Sequence, residues 1–111
     1  MIDILQTPPN IHKKARDTEQ LALDFILPKI KKMRLRVLVE LSAWEDGLTG
    51  SQVVKNINGY IVSVRPRLTE LHEYGLIKPL DEKRKNERGM FETVWAATSE
   101  GKQIIERKNN E

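Results

Sequence analysis

In two places the apolar residues of the chain recur every three to four positions, which is the spacing of a helix with one buried face. The first repeat predicts a helix over residues 29–45. Its members are Ile30, Met33, Val37, Leu38, Leu41 and Trp44. The second repeat predicts a helix over residues 63–74, with Ser63 as its cap and Gly75 as its stop. Its members are Val64, Leu68 and Leu71. Both helices are expected to pack against one core.

A further helix is predicted near the N-terminus. It would begin at a cap provided by Thr7 or Asn10 and run to about Leu27, because Pro28 ends or kinks a helix. One side of this helix is apolar. Its members are Ile11, Ala15, Ala22, Phe25 and Ile26.

Two shorter helices are also predicted. A short extended piece at Leu48-Thr49 leads into a helix that begins at Thr49 or Gly50 and runs to about Asn56. The last helix begins near Thr98, since Thr is a favoured residue at the start of a helix. The side chains that these two helices are expected to bury in the core are Val53, Val54, Ile57, Ile104 and Ile105.

Two strands with a polar connection are predicted between the last two helices. Residues 77–80 form the first strand, and residues 90–97 form the second, in which Val94 and Ala96 alternate with polar or larger neighbours. Residues 81–90 between them are polar and basic and are predicted to be the end of a hairpin. The chain is therefore expected to be mainly α with a small β-hairpin, which is an α+β fold class.

Composition narrows the class of protein. The chain has 111 residues, of which 39% are hydrophobic and 32% charged, a balance typical of one soluble globular domain. It contains no cysteine, which excludes disulfides and thiolate metal sites. No apolar run approaches the ~18–20 residues that a membrane-spanning helix needs, and the N-terminus lacks the layout of a signal peptide. We expect a cytoplasmic protein without membrane contact.

Neither catalysis nor a cofactor is indicated by the residues. The two histidines, His12 and His72, lie far apart in the chain, and with no cysteine a metal site would have to rest on carboxylates. No nucleophile, histidine and acid stand at a local spacing, and no glycine-rich phosphate loop is present. We therefore expect no catalytic residues, no metal and no cofactor.

Charge points to a different kind of partner. The net charge is +3, and the isoelectric point is about 9.3. The basic residues form two clusters, whereas many of the acidic residues lie elsewhere in the chain. Lys29, Lys31, Lys32, Arg34 and Arg36 form the first cluster, and Lys83, Arg84, Lys85 and Arg88 form the second. Segregated basic clusters are typical of proteins that contact phosphates. The first cluster wraps around its helix instead of forming one stripe, and is better explained as solvated surface.

Several segments resemble a winged helix-turn-helix domain. They are GLTGSQVVKNI, VRPRLTELHEYGLI, the basic hairpin and ATSEGKQII, in that order over residues 35–107. The order and spacing are similar to those of bacterial and phage DNA-binding regulators, and more narrowly to small winged-helix proteins encoded by phages and prophages. The resemblance implies an N-terminal segment and helix over residues 1–28 and a winged-helix domain over residues 29–111.

The resemblance also implies which residues bind DNA. The helix at 63–74 would enter the major groove as the recognition helix, the hairpin at 81–90 would be the wing, and the helix before them would present its first turn to a phosphate. The implied contacts are Ser51, Gln52, Ser63, Arg65, Arg67, Thr69, Lys83, Arg84, Lys85 and Arg88. One departure is the pair of acids Glu70 and Glu73 on the recognition helix, since acids repel phosphates.

The expected function is that of a non-enzymatic protein that binds double-stranded DNA, as a phage-type transcriptional regulator acting in the host cytoplasm. The alternative is a winged-helix module that docks on a host protein of the transcription or replication machinery, which the two acids would favour. Because a winged helix reads only a short site, and because an apparent helix precedes the core, we also expect a homodimer built on the N-terminal helix.

Overall fold

A computed structural model of the chain describes the backbone of residues 11–111 and the side chains of residues 18–111. The described residues form five helices and a three-stranded sheet. In chain order the elements are α1 (Ile11–Ile26), α2 (Met33–Ser42), β1 (Leu48–Thr49), α3 (Gly50–Ile57), α4 (Ile61–Glu73), β2 (Ile77–Lys85), β3 (Phe91–Ala97) and α5 (Ser99–Asn109), with a 3-10 turn at Leu27–Lys29 after α1. The α+β fold class predicted above is confirmed.

The sheet is antiparallel, with β3 between β1 and β2. Leu48 lies opposite Trp95, so that the short strand β1 ties the start of α3 to the hairpin. Strand β2 pairs with β3 from Ile77 to Lys85, with a register shift between Pro79 and Lys83. The sheet therefore joins the helix-turn-helix and the hairpin into one unit.

The core lies between the helices and the inner face of the sheet. The stripe predicted for α4 is confirmed, because Val64, Leu68 and Leu71 are all buried. The other helices and the sheet supply the remaining buried side chains. They include Ile30, Val37, Leu38, Leu41, Val53, Ile57, Leu76, Ile77, Val94 and Ile104. Burial of this aliphatic surface is the main force that holds the helices on the sheet.

Helix α2 is shorter than predicted. It spans Met33–Ser42 rather than residues 29–45, because a 3-10 turn and then Lys32, with a positive φ of 57°, interrupt the helical path before it. Ile30 is fully buried although it precedes the helix. The prediction that Trp44 continues the buried stripe is wrong. Trp44 follows the helix, is 51% exposed, and donates its ring N–H to Glu40.

Helix α4 begins two residues earlier than predicted, at Ile61, and Ser63 is not its cap. The preceding helix ends at Ile57 and is capped by Asn58, whose backbone is left-handed at φ 56° and ψ 45°. Gly59 follows directly. Tyr60 is already extended, and its carbonyl accepts from the backbone N–H groups of Ser63 and Val64. The sharp turn thus brings the chain into a helix before Ser63 is reached. At the other end, Gly75 with φ 78° stops α4 as predicted.

The hairpin has longer strands than the polar sequence indicated. Residues 81–85 belong to β2 rather than to a loop, and the turn is confined to 86–90. The Asn86 side chain holds this turn, since its oxygen accepts from the backbone N–H groups of Arg88 and Met90. Polar side chains are tolerated here because β2 is an edge strand whose outer part is largely exposed.

The apolar side of α1 was only partly predicted. Ile26 is half-buried as expected, but Ala22 and Phe25 are exposed and the buried residue is Leu23. The side chains of Ile11 and Ala15 and the cap at Thr7 or Asn10 lie outside the described residues. Arg107 of α5 donates to Asp24 and Gln20, which fastens the second half of α1 to the C-terminal helix.

The short elements agree with the prediction. Thr49 caps α3, and Thr98 caps α5 by accepting from the Gly101 N–H. Trp95 is half-buried and packs against the edge of the core, and its ring meets His72 edge-on with centroids 5.2 Å apart.

Candidate nucleic-acid interface

The outer face of α4 carries part of the predicted contact set. Arg65 and Thr69 are exposed and lie one turn apart, while Ser63 is half-buried in the first turn. Among residues 18–111 no hydrogen bond or ion pair holds the Arg65 guanidinium. Its charge acts on the Glu92 carboxylate, whose pKa it helps to lower. Arg65 is therefore able to reach a ligand without breaking a hydrogen bond, although it would move its charge relative to Glu92.

Arg67 is placed differently, because it forms an ion-pair network with two other residues. Its Nε and Nη2 donate to the two carboxylate oxygens of Glu70 at 2.7 and 2.9 Å. Arg34 of α2 donates to the same carboxylate at 2.8 Å. Hydrogen bonds lower the pKa of Glu70 to about 2, and the bond from Arg34 has a larger effect than those from Arg67. The Glu70 charge is thus compensated by two arginines within the fold, and the Arg67 guanidinium is held by the Glu70 carboxylate.

In the first turn of α3, Ser51 and Gln52 make internal hydrogen bonds. Thr49 and Gln52 form a reciprocal capping box, in which each side chain accepts from the backbone N–H of the other. The backbone N–H and the hydroxyl of Ser51 donate to the carboxylate of Glu92 on β3, at 3.1 and 2.5 Å. A carboxylate thus occupies the position at which a helix N-terminus binds anions.

Glu92 also connects this helix to the hairpin turn. Its carboxylate accepts from the Asn86 amide at 2.7 Å. Burial raises the pKa of Glu92, but hydrogen bonds from Ser51 and Asn86, together with the Arg65 charge, outweigh that effect, and the net shift is downward. The group is therefore ionised at neutral pH and bonded on both of its oxygens.

The basic residues of the hairpin fall into two groups. Arg84 is tied into the fold, with its guanidinium donating to the carbonyls of Asp46 and Gly47 and to the side chains of Gln52 and Glu82. By contrast, Lys83, Lys85 and Arg88 are exposed. Lys83 donates to Thr93, and the Lys85 ammonium lies 5.3 Å from the centre of the Phe91 ring.

Two grooves run along the hairpin, one on each side. The first, which we call the α3 groove, lies between α3 and the hairpin turn. Its polar lining consists of Thr49, Ser51, Gln52, Lys55, Lys85, Asn86, Glu87 and Arg88, and Lys55 lies 3.9 Å from the Glu87 carboxylate. The second, which we call the α4 groove, lies between α4 and β3. It is lined by Arg65, Thr69, Phe91, Glu92 and Thr93. Six of the ten predicted contact residues line these grooves, namely Ser51, Gln52, Arg65, Thr69, Lys85 and Arg88. Ser63, Arg67 and Lys83 line neither groove, and Arg84 is held by internal hydrogen bonds.

The sequence prediction overlooked residues of two kinds at this surface. Glu92 was missed because its partner Ser51 is 41 positions away, and no local pattern indicates that contact. Apolar residues were missed because only polar side chains were considered. Tyr60, Val62, Met90 and Phe91 are each more than 60% exposed. The only available sequence signal was that Val62 lies outside the buried stripe of α4.

Other chemistry has little support in the described structure. Among the side chains that the structure describes, from residue 18 onward, no three His, Cys, Asp or Glu residues are grouped as a metal ion would require. The same part of the chain contains no helix that is both long and apolar enough to cross a membrane.

Comparison with solved structures identifies the fold. The crystal structure of the S. aureus MepR–DNA complex aligns with 92% of this chain and 76% of its own, at 20% identity and a TM-score of 0.61. Apo MarR from E. coli aligns with 97% of this chain and 77% of its own, at 16% identity and a TM-score of 0.61. The transcriptional regulator PcaV of Streptomyces coelicolor, solved with its natural ligand, covers 99% of this chain and 75% of its own at 17% identity, with a TM-score of 0.58.

The chain has the winged helix-turn-helix fold. In that fold α3 and α4 are the helix-turn-helix, and β2 and β3 are the wing. No protein-family model matches the chain, and a search of curated proteins finds no match.

Proposed function

We propose that this protein binds double-stranded DNA as a transcriptional regulator and has no enzymatic activity. The observation that carries the proposal is the exposed basic surface formed by α4 and the wing within a winged-helix fold. Arg65 lies on the helix, and Lys83, Lys85 and Arg88 lie on the wing. The similar MepR structure is a complex with DNA, which supports the same partner here.

The arrangement of charge along α4 suggests how the helix would meet DNA. Arg65 lies in the N-terminal half and Glu73 at the end, and at 1.5 Å per residue they are about 12 Å apart. The N-terminal residues of a recognition helix are the ones that contact base edges. The major groove would therefore receive the half with Arg65, and the exposed acid would lie outside it.

The wing is expected to contact the DNA backbone. Lys85 and Arg88 line the α3 groove together with Lys55, which lies 3.9 Å from the Glu87 carboxylate. A phosphate bound there would compete with this exposed ion pair, which is weak because water screens both charges. Ser51 and Gln52 would contribute to the edge of this surface, while Arg84 would act by holding the wing in place. Because phosphates carry charge and little sequence information, these contacts would bind all sequences similarly.

A salt titration tests the proposal. Binding of the full chain to labelled duplexes is measured by fluorescence anisotropy at several salt concentrations. A Lys85→Ala/Arg88→Ala variant should weaken binding to every duplex and reduce the salt slope by about two, at about 0.9 per lost phosphate contact.

The matched control is Lys78→Ala/Lys102→Ala, which removes the same charge beside Trp44, outside both grooves. Its salt slope should stay near that of the parent chain. Equal slopes for the parent and the wing variant would contradict the role of the wing. Absence of duplex binding by the parent at low salt would contradict DNA binding.

The second candidate function is docking on a host protein of the transcription or replication machinery. Exposed Glu73 favours it, because an acid on the outer face of α4 suits a basic protein surface. The other acid no longer argues for it, since Glu70 is compensated by two arginines. A chain that binds no duplex even at low salt would support this candidate.

The proposal includes two finer points. A phage or prophage source, with action in the host cytoplasm, follows from the sequence resemblance. A homodimer built on α1 follows from its surface, where Leu21 and Phe25 are 63% and 76% exposed and lie four residues apart on one face.

A further inference from the structure

Val62 is the most exposed of the large apolar side chains in the described part of the chain, at 79%. It lies in the first turn of α4, on the side away from the buried stripe of Val64, Leu68 and Leu71. A β-branched residue is also slightly unfavourable in a helix. Neither the core nor helix stability therefore accounts for a valine at this position.

The surroundings of Val62 favour a nucleic-acid partner. Arg65 and Thr69 follow it at intervals of three and four residues, so the three side chains adjoin on the helix surface. Arg65 and Thr69 line the α4 groove, and exposed Phe91 lines its opposite wall. Glu92 lines the same groove, and the Arg65 charge acts on it, but the Arg65 guanidinium makes no hydrogen bond. An apolar group beside such a guanidinium, with basic wing residues nearby, matches the mixture of methyl groups and negative charge in a DNA groove.

We infer that Val62 is a specificity-determining residue that contacts the C5-methyl group of a thymine in the major groove. The inference rests on the proposed DNA-binding function and adds to it the class of base that is read. Thymine is the one base that presents a methyl group in the major groove, and apolar side chains recognise it there. Arg65, one turn further along, is placed to read a neighbouring guanine.

The test removes the methyl group from the DNA and, separately, its partner from the protein. A preferred duplex is first selected from random sequence with the full chain. Each thymine of that duplex is then replaced in turn by deoxyuridine, which lacks only the C5-methyl. At one position the parent should lose about fourfold in affinity, the effect of about one buried methyl group.

The Val62→Ala variant should bind the thymine and deoxyuridine duplexes with equal affinity at that position. The matched control is Val39→Ala, because Val39 is an exposed valine on α2. It should keep the fourfold preference for thymine. Circular dichroism of both variants confirms that α4 is intact.

Two results would overturn the inference while leaving the proposed function in place. One is a parent chain that binds duplexes in a salt-dependent way but binds thymine and deoxyuridine equally at every position. The other is a Val62→Ala variant that keeps the thymine preference. A parent chain that binds no duplex at all would overturn both the inference and the proposed function.

Discussion

At the scale of single residues, the two arginines that the sequence placed together on the recognition helix have different environments. Arg65 is exposed, whereas Arg67 makes two hydrogen bonds to Glu70. A guanidinium that is already held by a carboxylate must lose that partner before it can bind a base. The sequence shows that both residues are basic, but it cannot show which of the two guanidinium groups is paired with a carboxylate.

This difference predicts unequal effects on DNA binding. Arg65→Ala should weaken binding to the preferred duplex by about 1–3 kcal/mol, the usual cost of losing a specific base contact. Arg67→Ala should have a smaller effect on affinity and should instead lower the urea midpoint of unfolding. Anisotropy titration and urea unfolding of both variants measure these quantities. A larger loss of affinity for Arg67→Ala would contradict the assignment.

The same network predicts how stability depends on acid. The pKa of Glu70 is about 2 in the folded chain, below its ordinary value of 4.5. A lowered folded pKa means that the network stabilises the fold fully above pH ~4.5, and that this contribution is lost as the pH falls towards 2. The pKa values of Glu82 and Glu92 are also lowered, so they act in the same direction.

Urea unfolding at pH 7, 4.5 and 2.5 should therefore show stability falling between the last two values. A Glu70→Gln variant should be less stable than the parent at pH 7 and should lose less on acidification. Parallel pH profiles of the two chains would show that the ion pairs do not contribute.

At the scale of elements, α5 is seated closely on the end of β3 and the start of β2. A Cβ at Gly101 would lie 2.2 Å from the Leu76 carbonyl oxygen and 3.1 Å from a methyl group of Leu38. Thr98 donates its backbone N–H to the same Leu76 carbonyl at 2.9 Å. A glycine in the first turn of α5 is thus required by close approach of the backbone.

Gly101→Ala should destabilise the fold by about 2 kcal/mol. Overpacking costs up to about 3 kcal/mol, and the better helix propensity of alanine returns about 1. Gly59→Ala is the control, because its new Cβ would meet side chains and no backbone, with Ile57 at 3.3 Å and a Val64 methyl group at 3.9 Å. Thermal unfolding compares the two variants, and an equal change in midpoint would contradict the packing argument.

The elements also show what the sequence can predict. The order of elements and the buried stripe of α4 follow from local periodicity, and both are confirmed. The start of α4 was misplaced because the left-handed Asn58 and the following Gly59 turn the chain before the expected cap. The internal role of Arg84 was missed because its acceptor Gly47 is 37 residues away. Contacts of that range depend on the assembled fold.

At the scale of the whole molecule, the exposed face of α1 predicts self-association. The full chain should be a dimer at tens of micromolar, because Leu21 and Phe25 would otherwise expose a large apolar surface to water. Light scattering should show that Leu21→Glu/Phe25→Glu is a monomer. Lys78→Glu changes the net charge by the same amount at an exposed site on β2 and should remain dimeric. A monomeric parent chain would end the proposal.

The carboxylate of Glu92 at the start of α3 has a consequence for how such a protein would search a genome. On a DNA-binding surface, a fixed negative charge among the basic groups would shorten every encounter with arbitrary sequence, since such encounters depend on phosphate attraction alone. Contacts to base edges would compensate for that repulsion only at the correct site. Glu92 would thus reduce the time that the protein spends on the large excess of nonspecific sites. Those sites would then compete less strongly with the target for the protein.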